Sequence, residues 1–386
     1  MIYLDANATT PLLPEVLDAM LPWLRDGYAN PSGSYAAAKL ARKAIENARA
    51  QVAELIGADP EEIVFTGGGT ESVNTALRSL AALTGPGAAL VSAIEHSAVL
   101  RCAEKLGREV RAVAVNPGGR LDLEAFEAAL DAAAFISIMA ANNETGVIQP
   151  LREAVEIARK YGLPVHTDAV QAVGKIPLNV RELGVDLLSL SAHKFHGPKG
   201  VGALFVRKGL KFEPLVFGGG QEGGRRSGTE NTAGIVGLGA AAALVSRIFK
   251  DEKTPLVATL RDAFEAEVLT ATTGVTVNGD RAYRLSNTSH LSFDQCDAAG
   301  LLILLDEAGV ACSAGSACMT GKQRPSHVQL AMGISEARAK SSLRISFSRL
   351  NTMEEALAVA KAVGKAVEKL RRVQGPGVGP VVVYSP

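Results

Sequence analysis

Apolar residues follow two textures along this chain. Up to about residue 250, short unbroken apolar runs alternate with longer segments in which apolar positions recur every three or four residues. The runs at Ile63-Val64-Phe65 and near 89–94, 110–115, 134–139, 164–167, 186–190 and 201–206 predict strands buried on both faces. The spaced segments predict helices. One runs from Ser34 to Gly57, with Leu40, Ala44, Ala48, Val52 and Leu55 on its stripe and Gly57 as its stop; others lie near 121–131 and 150–161. Residues 2–9 read as a short strand and a turn, an N-terminal arm, and residues 13–30 are available to pack on a second domain.

Beyond about residue 250 the texture changes. A helical stripe of Leu256, Leu260, Phe264 and Val268 is followed by strand patterns near 274–277, 285–292 and 343–347. Thr352 and Glu355 then form a capping-box pair before a helix that carries Val359, Val363, Val367 and Leu370. The expected fold class is α/β: a large domain over 1–250 with a mostly parallel central sheet covered by helices, and a smaller α+β domain over 251–386. A chain of 386 residues also exceeds the size at which one core stops growing.

Composition narrows the function classes. Forty basic and forty acidic residues give no net charge, which argues against a broad nucleic-acid surface. Arg371 and Arg372 read as helix-end charges facing water. The apolar stretches are broken by charges, glycines or prolines, so no membrane association is expected. The opening Met1-Ile2-Tyr3-Leu4-Asp5 lacks a secretory pattern, and a cytoplasmic location is the expectation. Cys102, Cys296, Cys312 and Cys318 form no paired short-spaced cluster, so a structural metal is not expected and these should be free thiols.

The candidate chemistry sits at strand ends. Ser191-Ala192-His193-Lys194 follows an apolar run, and ligands of such sheets bind at the carboxyl ends of strands. The Lys194 amine can form a Schiff base with an aldehyde cofactor and then move protons at a substrate's α-carbon. A surface or phosphate-binding lysine is the plain alternative, and Lys199 the nearby competitor. Asp168 ends the run Pro164-Val165-His166-Thr167 and is suited to a protonated pyridine nitrogen, or simply to capping the next turn; Gln171 lies three residues on. Gly67-Gly68-Gly69-Thr70, between a strand and a helix, offers backbone N–H groups to a phosphate but lacks both the P-loop and the dinucleotide-binding pattern. His96 follows another strand and can both stack on a ring and move protons as a catalytic group, or be a plain hydrogen-bonded histidine, and Asn143 follows the 134–139 run. Together these groups are far more specific than any one of them.

The segments Thr66–Asn74, Ala141–Gly146, His166–Gln171 and Ser191–Lys194 resemble the NifS/IscS-type cysteine desulfurases, in the class V aminotransferase-like group of fold-type I pyridoxal-phosphate (PLP) enzymes, over roughly residues 2 to 370. The resemblance implies pyridoxal 5'-phosphate bound through Lys194 with His96 stacked on its ring. It implies Asp168 at the ring nitrogen, Gln171 and Asn143 at the phenolic oxygen, and Gly69, Thr70, Ser191 and His193 at the phosphate. It further implies a homodimer in which Thr229, from the stretch Arg225–Asn231, reaches the partner's phosphate. Arg344 would bind the substrate carboxylate, with Asn143 also near the substrate.

Cys312-Ser313-Ala314-Gly315-Ser316-Ala317-Cys318 is rich in small residues, and a thiol on it can act as a nucleophile or be a small buried apolar group. The resemblance selects Cys318, through Gly315-Ser316-Ala317-Cys318, as the residue that takes sulfur from L-cysteine. The segment Met319–Arg324 departs from the Thr-Ser-Gly-Ser-Leu-Glu common in the group and carries Arg324 where an acidic residue is usual. The implied activity converts L-cysteine to L-alanine and passes the sulfur to an acceptor, for iron-sulfur cluster assembly or other sulfur delivery. The alternatives are a related PLP lyase or aminotransferase acting on another amino acid, selenocysteine included, and a non-enzymatic sulfur-carrier scaffold.

Overall fold

The computed structural model describes residues 1–251, 256–314 and 325–374. The chain enters through a two-residue strand, β1 (Ile2–Tyr3), and two helices, α1 (Pro14–Arg25) and α2 (Ala36–Ile56). Seven strands then build the main sheet: β2 (Ile63–Thr66), β3 (Ala88–Ser92), β4 (Val110–Val113), β5 (Ala133–Ser137), β6 (Val165–Asp168), β7 (Leu187–Ser191) and β8 (Gly202–Val206). Their order is β2-β8-β7-β6-β5-β3-β4. Neighbours from β4 to β7 run parallel, whereas β8 is antiparallel to both β7 and β2. Helices cover the sheet, so most of its strands are buried along their whole length, as continuous apolar runs require.

The polar exceptions inside the sheet are paired. His166 lies between Ser137 and Ser189, 2.9 Å from each hydroxyl, and links β5, β6 and β7 from inside. Burial pushes its imidazole down to about 3, so it is neutral at physiological pH.

The long helix forms where its spacing predicts, and Gly57 ends it at φ 69°. Ala48, Val52 and Leu55 of the expected stripe are buried, and only its N-terminal part is misphased. Ala38, Ala41, Ile45, Ala48 and Val52 face the core, while Leu40 is 61% exposed. Opposite it packs the helix Thr232–Asp251, which approaches so closely that a Cβ on Gly239 would stand 2.6 Å from Ala48 Cα. That helix is long and apolar enough to cross a membrane by composition, contrary to the expectation that no segment would be; more than half of it is buried inside the protein. The position of α1 corrects another expectation. Leu13, Val16 and Met20 join the large core, with Met20 against Gly237, rather than packing on the second lobe.

Arg49 occupies the buried face of α2 because it has partners. Its guanidinium grips both oxygens of Glu222 at 2.7 and 2.8 Å, donates to the Ile63 carbonyl at 2.9 Å and lies over the Phe65 ring. Glu222, held at φ 51°, also accepts the Phe65 N–H and so fastens the glycine-rich stretch 218–228 to β2. Arg49→Ala is expected to lower the unfolding free energy by about 3–5 kcal/mol, because it strands a buried carboxylate. Denaturant titration measures this; a loss below about 1 kcal/mol would mean the pair behaves like a surface ion pair.

The second lobe has its own core. Four antiparallel strands pair in the order β12-β13-β10-β9: β9 (Val275–Val277), β10 (Thr288–Phe293), β12 (Ser313–Ala314) and β13 (Ser342–Ser346). Helices Leu256–Ala271, Ala298–Glu307 and Met353–Gln374 cover them, burying Phe264, Phe293, Leu301, Leu343, Val359 and Val363. Thr352 and Glu355 make both reciprocal bonds of the capping box, each 3.2 Å. Arg371 does not simply face water, since it donates to the carbonyls of Asp294 and Thr273. The N-terminus crosses to this lobe. β1 pairs in parallel with β11 (Val310–Ala311), Leu4 enters the second core, and Asp5 bridges to Ser346.

Candidate active site

The carboxyl ends of β2, β3, β5, β6 and β7 open on one cavity of about 280 Å³. It is lined by Gly69, Thr70, His96, Asn143, Asp168, Gln171, Ser191, His193, Lys194 and Arg344. Ten of the sequence-derived site residues therefore meet in one place, drawn from segments almost 280 residues apart.

Lys194 ends a single 3-10 turn, Ala192–Lys194, directly after β7. The N-terminal arm clamps that turn. Thr10 donates its backbone N–H and its hydroxyl to the His193 carbonyl, both at 2.9 Å, and accepts the His196 N–H at 2.7 Å. His196 is thereby held at φ 69°, in the left-handed region. The Lys194 ammonium donates to the carbonyls of Asn7 and Ala8 at 2.7 and 2.8 Å. Burial and the positive charge of Arg344 lower its pKa to about 8, against the opposing pull of Asp168 and Asp5. The amine is accordingly close to its nucleophilic, neutral form at physiological pH.

Asp168 ends β6, buried, with one oxygen accepting the Val170 N–H at 3.0 Å. Burial raises its pKa despite that bond and the nearby His96 and Lys194. A protonated ring nitrogen at this position would supply the charge partner the carboxyl lacks. His96 caps the helix α4 (Ser97–Ala103) through Nδ1, which accepts the Ala98 N–H at 3.1 Å, and burial lowers its pKa. Just before it, fully buried Glu95 accepts the Met139 N–H at 2.6 Å. Burial, with Asp168 nearby, raises its pKa well above the usual carboxylate range.

At the other end, the chain turns through Gly68, whose φ of 139° and ψ of −179° suit glycine, into the fifteen-residue helix α3 (Gly69–Leu83). A Cβ on Gly69 would come within 2.7 Å of Val170 Cγ2. The first N–H groups of this helix lie outside its internal ladder and, with Thr70, Ser191 and His193, form a donor set for a phosphate. The chemistry of the cavity thus fits pyridoxal 5'-phosphate: donors and a helix N-terminus at one end, a buried carboxyl at the other, an amine at the wall.

Arg344, on β13, projects from the second lobe into the same cavity. One terminal nitrogen donates to Asp5 at 2.7 Å and the other to the Asn143 carbonyl at 3.1 Å, while its Nε is buried without a partner. Asn143 contributes that carbonyl besides its place in the cavity lining.

One expected site residue is not in this assembly. Thr229 lines a separate cavity with Gly67, Glu222 and Arg226. Cys318, with the departure Met319–Arg324, lies outside the described residues. The three described cysteines are all held as thiols. Burial raises Cys102 and Cys296, and burial together with Asp5 pushes Cys312 up to about 12.

Two important residues were not read from the sequence. Asn7 spends its whole polar surface at the junction of the lobes: its amide donates to the Asn143 carbonyl and Thr288, and its carbonyl accepts from Gln171 and Lys194. Its side-chain oxygen accepts from Lys175 and Asn287. Lys175 is held at 2.6 Å by both Asn7 and Gln171, and burial lowers its pKa well below the usual lysine range. The dense polar run Asp5–Thr10 between a strand and a proline was the available signal.

A strand-end lysine at the wall of a cavity, with a buried carboxyl at one end and a helix N-terminus at the other, is the arrangement of enzymes that carry out amino-acid chemistry on a PLP cofactor, and the fold is that of their fold type I. The chain belongs to the aminotransferase class-V family, whose model matches residues 2–359. It is similar to a cysteine desulfurase of Cereibacter sphaeroides, 45% identical over 377 residues and covering 96% of each chain. It is also similar to the cysteine desulfurase IscS of Dictyoglomus turgidum, 44% identical over 378 residues, again covering 96% of each. Among solved structures, a NifS-like protein superposes with a TM-score of 0.89 at 36% identity, covering 95% of this chain and 99% of the other.

Proposed function

We propose that this protein is a PLP-dependent cysteine desulfurase that converts L-cysteine to L-alanine and delivers the sulfur, as a persulfide on Cys318, to an acceptor. The observation that carries the reading is the full-length likeness to cysteine desulfurases in a chain whose lysine, carboxyl and arginine share one cavity.

Bound pyridoxal 5'-phosphate supplies the electron sink for negative charge at the substrate's α-carbon. Arg344 binds the α-carboxylate, using donors that Asp5 and the Asn143 carbonyl do not occupy. Lys194, with its lowered pKa, holds the cofactor and then takes the α-proton. Asp168 keeps the ring nitrogen protonated, and Gln171 and Asn143 serve the phenolic oxygen. Gly69, Thr70, Ser191 and His193 hold the phosphate, and His96 stacks on the ring. The Cys318 thiolate attacks the substrate sulfur: a sulfur–sulfur bond forms, the carbon–sulfur bond breaks, and its electron pair goes to the carbon. Protons return to that carbon and to the α-carbon, and L-alanine leaves.

The active form in this reading is a homodimer, in which Thr229 serves the partner's phosphate, consistent with its place outside its own chain's cavity. The protein acts in the cytoplasm, and its acceptor is a sulfur-carrying or iron-sulfur scaffold protein. The deciding measurement is joint quantification of alanine and sulfide from L-cysteine, using the PLP-loaded protein with excess thiol reductant. Equal catalytic yields are expected. Pyruvate in place of alanine would assign an eliminating lyase, and neither product would turn the reading to another amino acid.

A further inference from the structure

Asp5 has two oxygens and gives one to each of two functions. Oδ1 accepts a charged hydrogen bond from Arg344 at 2.7 Å, and Oδ2 accepts the hydroxyl of Ser313 at 2.9 Å. Ser313 and Arg344 are also directly opposite each other in the β12–β13 pair. Strand β12 is the last described structure before the segment that carries Cys318. Asp5 itself is fixed from behind: it bridges to Ser346, its carbonyl accepts the Tyr3 hydroxyl at 3.1 Å, and Leu4 donates its N–H to Ala311 at 2.8 Å. The carboxylate therefore stands at one corner of the arginine and at the foot of the sulfur-handling segment, on a backbone with little room to move.

We propose that Asp5 is a positioning residue that couples recognition of the substrate's α-carboxylate at Arg344 to the placement of strand β12. Arg344 has an Nε that is buried and unpartnered, which marks the guanidinium as incomplete without a further anion. When the α-carboxylate docks there, two anions share one cation and the Asp5 bond weakens. Asp5 then leans more on the Ser313 hydroxyl, and the strand tightens. Arrival of an amino acid is thus felt at the base of the segment bearing the nucleophile. The charge is also felt at Lys194, whose pKa Asp5 raises against the effect of Arg344.

The inference rests on the reading of Arg344 as the carboxylate site, and its test does not need desulfuration. L-alanine carries the carboxylate and no sulfur, so it serves as the probe with the PLP-loaded protein. Two readouts are taken: its dissociation constant from the cofactor absorbance, and hydrogen exchange of the amides at 310–314 with and without it. In the wild type, L-alanine should slow exchange at 310–314. Ser313→Ala should bind L-alanine within about twofold of wild type yet lose that protection, and Ser313→Thr, which keeps the hydroxyl, should restore it. Asp5→Asn removes the anion that shares Arg344 with the α-carboxylate, so it should bind L-alanine at least as tightly as the wild type and lose the protection. Protection equal to the wild type in Ser313→Ala or in Asp5→Asn overturns the proposal. A wild type that binds L-alanine with protection but makes no persulfide from L-cysteine would instead sink the desulfurase reading and leave the coupling standing.

Discussion

Lys194→Ala is expected to cut L-cysteine turnover by on the order of 10³–10⁴-fold or more and to remove the covalently retained cofactor absorbance. The amine is asked to do two things, hold the aldehyde and move the α-proton, and among the described residues nothing nearby replaces it. Lys175 is the near neighbour, but both Asn7 and Gln171 hold its ammonium in place. The same amine makes a pH prediction. Its pKa is lowered from 10.5 to about 8, so the neutral, nucleophilic fraction grows as pH rises through that value. Capture of pyridoxal 5'-phosphate by unloaded protein should speed up across pH 7–9 and level off above, read by stopped-flow absorbance. A variant that keeps more than a tenth of wild-type turnover, or a capture rate that climbs only near pH 10, would remove Lys194 from this role.

The second large effect falls on Cys318. Its replacement by alanine should leave cofactor and L-cysteine binding intact while persulfide formation disappears and alanine release drops by on the order of 10³-fold. Trapping with a thiol-alkylating reagent, followed by mass spectrometry, measures the persulfide directly. The choice of thiol matters, because Cys312 is only six positions away in sequence. Cys312 packs against the second core and burial keeps it protonated up to about pH 12, which makes it a poor nucleophile. Cys312→Ala is the control and should retain turnover within a few fold. Persulfide on Cys312 in the wild type, or sustained sulfide release from Cys318→Ala, would reverse the assignment.

Sequence patterns carried the sheet and most of the cavity because both are written in short-range code. A run such as Leu187–Ser191 shows its strand by its leucines and its chemistry by the lysine of the turn that follows. The capping pair Thr352 and Glu355 is likewise a local signal. Errors arise where the decisive partner is distant. The stripe of α2 was phased on Leu40, yet Ile45 and Arg49 face inward, and Arg49 can be buried only because Glu222 meets it from 173 residues away. Residues 13–30 looked free to join the second lobe. Their packing instead depends on Gly237, where the absence of a side chain lets Met20 in. Asn7 and Lys175 were invisible for the same reason: a small amide and a lone lysine carry no period, and their meaning comes from partners in both lobes. Thr229 shows the limit from the other side, since its proposed partner belongs to another copy of the chain.

The reach of Asn7 has a consequence for how the protein is made. The residue leaves the ribosome long before its partner, since its backbone N–H waits for Ser346, a separation of 339 residues. At synthesis speeds of roughly 5–20 residues per second, that wait lasts on the order of tens of seconds. During it the nascent chain already carries Lys194 but lacks β13, and with it Arg344 and the backbone that holds Asp5. The pocket is therefore complete only once β13 has been made. A chain that stops short of β13 has the reactive lysine without the arginine that faces it across the lobes.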